Sequence, residues 1–521
     1  MRSIFSFLLI TIGLTSWAQN VQHYTGFYDK DSTLKLSEGN YVDGVKDGKW
    51  TYWYESGKLK EESHYLVGKL HGSVTVWYEN GQKMNEGYFY FNLQDSVYTS
   101  WFEEGQVRAK GQFERGYKDS LWTYYFPDGK NYKEETWNKR EVRLENAWKR
   151  DGSQSLTHGT GVFYKYMGQS IMAENHYKNG ILDGPYKRWY TADQIEESGS
   201  YEQGLKTGLW KKFFANGSPE NEVNYEKGMK QGAVQSWYAN GQSKVSGFYQ
   251  KDEKDGFWKF IQEDGHLYMS GYFDQGLQDS LWTYYFEDSQ VKESEGLFRS
   301  GKKDGEWNFW YEDGSLWRKG NYAQGIKEGL WTTWFENGNK LQEGNYENGK
   351  EEGEWNSWYE SKGPKDKGSF AAGKMVGEWT GWYENGKTNY HGSLKDGLKE
   401  GKWEFFYSSG KPRETGSYKG GIREGMWTFY YAHGHIDQKG SYTEGRKNGT
   451  WEYYAEWGQL LRKVSYKDDR LHGPSTSYYK GDKIQSQTSY KEGVQNGVWK
   501  FYDEDGNITR SVKYVNGFIK E

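Results

Sequence analysis

The sequence predicts an all-β fold: an elongated array of about nineteen 24-residue β-hairpin units forming one long, twisted antiparallel sheet. Three observations predict it. The chain repeats at a fixed period, the mark of a repeat architecture. Three middle copies show the unit, "GEWNFWYEDGSLWRKGNYAQGIKE" from Gly305, "GLWTTWFENGNKLQEGNYENGKEE" from Gly329 and "GEWTGWYENGKTNYHGSLKDGLKE" from Gly377. Aromatic residues keep register with that period. Counting from offset 0 at the leading glycine, offset 5 is aromatic in every unit but the one with Ile261, and the aromatic near offset 17 is missing only at Leu394. Finally, offsets 8 and 9 are Asn-Gly or Asp-Gly in nine units, and that dipeptide between apolar runs is a strong hairpin signal.

The elements follow in order. Residues 1–18 have the pattern of a secretory signal, with Arg2, an apolar run Ile4–Leu14, and Ser16-Trp17-Ala18 as a small-x-small cleavage site. Cleavage after Ala18 and export to the periplasm or the cell exterior are expected. No other stretch approaches the roughly 20 apolar residues of a transmembrane helix. Residues 19–47 look like half a unit and are expected to cap the array, which begins at 48–139. Between 140 and 158 the period fails, and "REVRLENAWKRDGSQSLTH" keeps only Trp148 and Gly152 of the pattern. A shortened unit that kinks or splits the array is expected there. The second array fills 159–521, where one-residue slips near His176 and Glu293 predict bulges.

Composition narrows the function classes. A 521-residue globular chain would hold three or four domains, but units that touch only their neighbours have no such limit. The mean hydropathy of -1.08 and the 68 glycines suggest disorder, which the 27 Trp, 46 Tyr and 25 Phe in register contradict. Net charge is -5 with both signs interspersed, so no basic stripe points to nucleic acid. With no cysteine, the chain has neither disulfides nor thiolate metal sites.

If the hairpin loop is the two-residue type I′ turn that Asn80-Gly81, Asp313-Gly314 and Asn337-Gly338 suggest, opposed offsets sum to 17. Trp307 then faces Gly320 and Gly305 faces Tyr322; in the next unit Trp331 faces Gly344 and Gly329 faces Tyr346. Each large ring is expected to cover the gap its glycine leaves. Offset 2 is Trp in thirteen of nineteen units and the facing position is Gly in twelve, so the pairing belongs to the whole array. Side chains alternate along a strand, which turns offset 5 to the opposite face as a ladder that includes Trp237, Trp310, Trp334, Trp358 and Trp382.

These residues resemble a known family. Gly-x-Trp, aromatic-Tyr-Glu-Asn-Gly-Lys, Gly-x-Tyr and x-Asn-Gly-Lys-x-x-Gly are similar to the bacterial variant of the MORN repeat, a hairpin-per-repeat module, over residues 37 to 521. The resemblance implies an antiparallel sheet used as a scaffold or binding surface. Some bacterial members are labelled antitoxins, and eukaryotic relatives are associated with membrane tethering or dimeric assembly.

Catalytic, cofactor and metal signatures all resolve into turns. Gly344-Asn-Tyr-Glu-Asn-Gly349-Lys350 imitates the start of a phosphate loop, but Glu351 replaces the Ser or Thr that would hold magnesium. His433 and His435 lack further ligands in sequence reach, and Asp503, Asp505 and Gly506 resemble a fragment of a calcium loop whose remaining ligand positions are missing, which leaves an Asp-Gly turn. Asp95-Ser96, Asp119-Ser120 and Asp279-Ser280 replace Asp-Gly at unit starts. The expected function is therefore non-enzymatic and cofactor-free: an exported scaffold that binds a protein partner or its own copies. One alternative is carbohydrate or cell-wall binding through the Trp ladder; the bland counterpart is that those rings only cover the second face. An antitoxin or immunity role is a further alternative.

Overall fold

The computed structural model describes residues 20–31 and 33–520; the expected signal segment 1–18 lies outside them. The described residues form 44 strands and no helix, and neighbouring strands run antiparallel. They fall into two compact units, Met1–Gln242 with Tyr249–Asp252, and Ser243–Phe248 with Glu253–Glu521. Each is a meander in which a strand pairs with its sequence neighbours. A repeat contributes a nine-residue leading strand such as Ile326–Trp334 and an eight-residue trailing strand such as Lys340–Glu347. Glycine, Asn and Asp interrupt the aromatic runs every few residues, which keeps the strands this short.

The two connections of each repeat use different turns. Between leading and trailing strands, Tyr311 N donates to Ser315 O at 2.9 Å and Gly314 N donates to Tyr311 O at 3.0 Å. Gly314 has φ +86 while Asp313 stays out of the positive-φ region. This is a three-residue loop that ends in a left-handed glycine, not the expected two-residue type I′ turn. Asp313 Oδ1 accepts bonds from Ser315 N at 2.8 Å and Ser315 Oγ at 2.6 Å, a side-chain mimic of a turn. Asn80-Gly81 and Asn337-Gly338 form the same loop, with φ +90 and +81 at their glycines. The type I′ geometry lies at the connection between repeats. There Asn348 and Gly349 both have positive φ, 51 and 79, between the paired Glu347 and Lys350. The phosphate-loop look-alike is thus the turn from one repeat to the next.

The strand register is nevertheless the expected one, because two departures cancel. The longer loop shifts the pairing to Trp310 opposite Leu316, and a bulge between Phe309 and Trp310 restores it. Beyond the bulge, Trp307 pairs with Gly320 and Gly305 with Tyr322, while Trp331 pairs with Gly344 and Gly329 with Tyr346. A second irregularity recurs where repeats meet. Gly344 pairs with Trp355 but Asn345 pairs with Glu352, which leaves Gly353 and Glu354 over. Gly353 takes φ +69, and Ser96, Ser120 and Ser280 take the same conformation at φ 62, 59 and 58. Each of those serines donates its hydroxyl to the preceding aspartate. At Glu293 the extra residue lies in the loop, since Phe286 N reaches Val291 O rather than the residue before it.

In unit one, pairing runs on through 140–158. Ala147 pairs with Leu156 and Leu156 with Gly161, around a small core of Leu144, Ala147 and Leu156 that Phe163 and Tyr177 cover. The start of the described chain is strand Val21–Phe27, paired with Lys35–Val42 and through it with Val45–Trp53.

Candidate binding site

One sheet face is packed by its own rings. Twelve of the thirteen offset-2 tryptophans are buried, and along the middle of the array they alternate with offset-17 rings set edge-on to them, while at Trp499 the neighbouring rings are only tilted, at 60° and 52°. In unit two the series is Trp307–Tyr322 at 6.2 Å, Tyr322–Trp331 at 5.1 Å, Trp331–Tyr346 at 6.1 Å and Tyr346–Trp355 at 5.3 Å. The ring over each glycine differs from the expectation. Trp331, from the following repeat, lies over Gly320, and Trp307 lies over Gly296. The indole leans back because its Nε1 donates to a carbonyl there, Trp331 to Asn321 O at 3.1 Å and Trp307 to Leu297 O at 2.9 Å. No ring covers Gly305 or Gly329; Tyr322 and Tyr346 wedge between tryptophans instead. The hairpin pairing was legible in the sequence, but the direction of lean depends on a hydrogen bond between repeats.

A cation completes this packing. The residue four before the tryptophan places its charge over the ring: Lys303 at 3.8 Å from Trp307, Lys327 at 4.6 Å from Trp331, Lys399 at 4.7 Å from Trp403, Arg423 at 4.3 Å from Trp427 and Lys447 at 3.9 Å from Trp451. Burial pushes Lys303, Lys327, Lys399 and Lys447 below the usual lysine range, as expected for ammonium groups withdrawn from water. The sequence carried this column as Lys or Arg at offset 22.

The opposite face holds the offset-5 ladder. Trp237, Trp310, Trp334, Trp358 and Trp382 are all half-buried. Lys292 stands 5.7 Å above Trp310 and Lys340 5.7 Å above Trp358; each lysine also bonds a carboxylate, Glu295 and Glu343 respectively. Trp310 further lines a cleft of about 550 Å³ with Trp317, Tyr311, Glu312 and Glu336. Backbone carbonyls of the ladder tie repeats together. Tyr311 Oη donates to Trp334 O at 2.9 Å and Tyr359 Oη to Trp382 O at 2.8 Å, a bond between residues 23 apart that recurs in both units. On the leading strands, Leu281, Leu330 and Met426 at offset 1 and Ile326, Leu398 and Ile422 at offset 21 are exposed, between 46% and 60%.

A second cleft, of about 480 Å³, lies on the packed face in unit two. Trp355, Trp379 and Trp403 line it, with Phe370, Met375 and Leu394 on one side and Gln342, Asp366 and Tyr390 on the other. It exists because the offset-4 ring present as Phe309 or Phe405 is Ser357 and Gly381 here. Tyr390 fills the second gap, its Cε1 only 2.2 Å from where a Gly381 Cβ would stand. Its hydroxyl donates to Asp366 Oδ1 at 2.6 Å, and Ser357 Oγ donates to Asp366 Oδ2 at 3.2 Å. Burial, then the Asp366 carboxylate, push the Tyr390 phenol well above its usual range, so it stays a donor. Trp355 is the single offset-2 tryptophan that is not buried.

The turn residues do not assemble catalytic sites. His433 Nε2 and His435 Nδ1 both bond the Glu456 carbonyl, the latter at 2.7 Å, which makes each a donor. Asp503 Oδ1 accepts from Asn507 N at 2.8 Å and Asp505 N at 3.0 Å, closing its own turn. Among the described residues no cluster of three His, Asp or Glu side chains has metal-binding geometry, and no helix is long and apolar enough to cross a membrane.

A family model described as the MORN repeat variant matches the chain at eleven places: 46–66, 70–92, 206–227, 303–324, 327–348, 375–396, 399–419, 423–444, 447–468, 471–492 and 495–516. No curated protein matches. Among solved structures, crystal structures titled TcdB2-TccC3 and TcdB2-TccC3-Cdc42 align with 95% and 96% of this chain at 10% and 8% identity. This chain spans 28% and 31% of theirs, and TM-scores of 0.14 and 0.13 give no basis for transferring fold or function.

Proposed function

This chain is a MORN-repeat protein of the variant type, and on that premise we propose that it is a non-enzymatic scaffold, exported to the cell envelope, that binds a protein partner or its own copies. The observation that carries the reading is a set of exposed apolar side chains at two recurring offsets of the repeat. Leu281, Leu330 and Met426 at offset 1 and Ile326, Leu398 and Ile422 at offset 21 stand exposed, Leu330 and Ile326 each at 50%, among repeats that carry charged residues such as Glu306, Glu354 and Lys350 at the same offsets. Exposed apolar side chains that return at fixed offsets of an otherwise polar repeat are a feature of protein interfaces. Export rests on Arg2, the run Ile4–Leu14 and Ser16-Trp17-Ala18. A non-enzymatic role fits a family of binding repeats and the absorption of every catalytic look-alike into turn hydrogen bonds.

The test is retention of the purified protein on envelope fractions of the source cell, with and without protease treatment of the envelope. Retention that the protease abolishes supports the scaffold. Retention that survives it favours carbohydrate binding through Trp310, Trp334, Trp358 and Trp382.

A further inference from the structure

We propose that the cleft around Trp355 is a receptor for one basic side chain, the ammonium of lysine or the guanidinium of arginine, presented by the partner protein. The proposal deepens the scaffold reading and rests on it, since it names a site and a chemistry for a protein partner.

The array itself shows what such a site looks like. Around Trp307 the parts are the indole face, an edge-on Tyr322, a tilted Phe309 at 5.9 Å and the Lys303 ammonium at 3.8 Å. Trp355 keeps the edge-on neighbours, Tyr346 at 5.3 Å and Phe370 at 5.7 Å. It lacks the other two. The position four residues before it is Glu351 instead of Lys, and the position two after it is Ser357 instead of a ring. Either loss alone leaves the tryptophan buried. Trp282 has Gln278 in the cation position but keeps Tyr284, stacked at 6.0 Å, and is fully buried. Trp331 has Thr333 in the ring position but keeps Lys327, and is 3% exposed. At Trp379 both are missing too, with Met375 at the cation's position and Tyr390 filling the gap at Gly381, and the ring is 6% exposed. Only at Trp355 do both losses open the indole to solvent.

The charges at the cleft suit a cation. Asp366 lies in its wall, opposite Ser357 in the strand pairing, held by hydrogen bonds from Tyr390 and Ser357 that leave it an acceptor for a further donor. Glu351 pairs with Tyr346 next to Trp355. Of the cations nearby, Lys399 also lines the cleft, and each has its charge placed over aromatic rings. Lys399 packs on Trp403, Phe405 and Tyr418 at 4.7, 4.5 and 5.0 Å, Lys327 sits on Trp331 and Tyr346, and Arg318 stacks on Trp317 at 4.5 Å. The indole is held in place, since Trp355 Nε1 donates to Asn345 O at 3.1 Å. A lysine or arginine entering the cleft would meet an aromatic face and a carboxylate, the two partners that desolvated cations favour.

The test uses the full chain and two capped pentapeptides, Gly-Ser-Lys-Ser-Gly and the same peptide with norleucine for lysine, followed by saturation-transfer NMR. The lysine peptide is expected to bind about tenfold more tightly, with transfer strongest at its ε-methylene. The double variant Glu351→Lys with Ser357→Phe restores the array's own cation and ring, so it folds at least as well as the parent and loses the peptide. Asp366→Asn, which removes charge with little change of shape, weakens binding several-fold. Equal binding of the two peptides, no binding of either, or undiminished binding by the filled double variant overturns the proposal. Protease-sensitive envelope retention that the filled variant keeps sinks this site and leaves the scaffold standing; loss of that retention in the parent protein sinks the scaffold itself.

Discussion

A Cβ built on Gly320 would stand 2.1 Å from Cδ2 of Trp331, so the indole of one repeat occupies the volume that a side chain of the preceding repeat would need. The relation recurs at Gly344 with Trp355 and at Gly416 with Trp427. Gly320→Ala is therefore expected to destabilise the local repeats by about 1–3 kcal/mol, the usual result of overpacking. Amide hydrogen exchange around 318–333 should rise while that around 445–465 stays as it was. Adding Trp331→Leu, which removes the opposing ring, should make the alanine nearly neutral relative to Trp331→Leu alone. A single Gly320→Ala with unchanged exchange would refute the close approach.

The tyrosine ladder joins repeats through backbone carbonyls, and Tyr311→Phe removes one rung without changing shape. Loss of the bond to Trp334 O should cost about 0.5–1.5 kcal/mol, read as faster exchange at the adjacent turn 335–339. An effect confined to the mutated hairpin, with nothing in the next one, would mean that the hydroxyl does not couple repeats.

The two turn types predict opposite sensitivities. Gly349 and its partner Asn348 sit in the left-handed region, so Gly349→Ala should cost roughly 1–2 kcal/mol. Asn348→Gly should be neutral or stabilising. At the other connection Asp313 keeps ordinary φ and works through its carboxylate, so Asp313→Gly should be destabilising and Asp313→Asn tolerated. Urea midpoints of the four variants check the assignment; an Asp313→Gly that stabilises would restore the type I′ reading there.

Glu452 supplies a pH dependence. Its partial burial would raise the carboxyl, but hydrogen bonds from Tyr454, Lys463 and Lys439 outweigh burial and hold it at about 2, below the ordinary 4.5. Tyr454 Oη lies at 2.5 Å, and the ammoniums of Lys463 and Lys439 at 2.9 and 3.0 Å. A carboxyl lowered by folding stabilises the fold above its unfolded value and loses that contribution as pH falls through the folded one. The difference in urea midpoint between the parent protein and Glu452→Gln should be full at pH 7, shrink between pH 4.5 and 2, and vanish below. A gap that does not change over that window would show that the ion cluster adds nothing.

Much of this was legible along the chain. Period, strand lengths, the all-β class and the pairing of Trp307 with Gly320 follow from local spacing, because alternation and turn residues act over a few positions. The ladder at Trp310 and Trp358 was legible as a column, but the lysines above it come from the preceding repeat. The inference of a type I′ turn within each hairpin failed for a local reason. Asn-Gly and Asp-Gly fit both a type I′ turn and a three-residue loop with a terminal left-handed glycine, and the choice depends on whether a bulge such as that at Trp310 compensates the register.

What the sequence determined by itself is whatever one hairpin decides alone: its strands, its glycine positions and its aromatic columns. Tertiary structure decided what happens between hairpins. Trp331 leans onto Gly320 because Asn321 O is there to accept its Nε1 hydrogen, Tyr311 reaches Trp334 O because the next repeat brings that carbonyl within 2.9 Å, and Trp355 is open because two substitutions, each harmless alone, fall around one ring. Those contacts join residues one repeat apart, and no local pattern of spacing carries the direction in which a side chain will turn to find them.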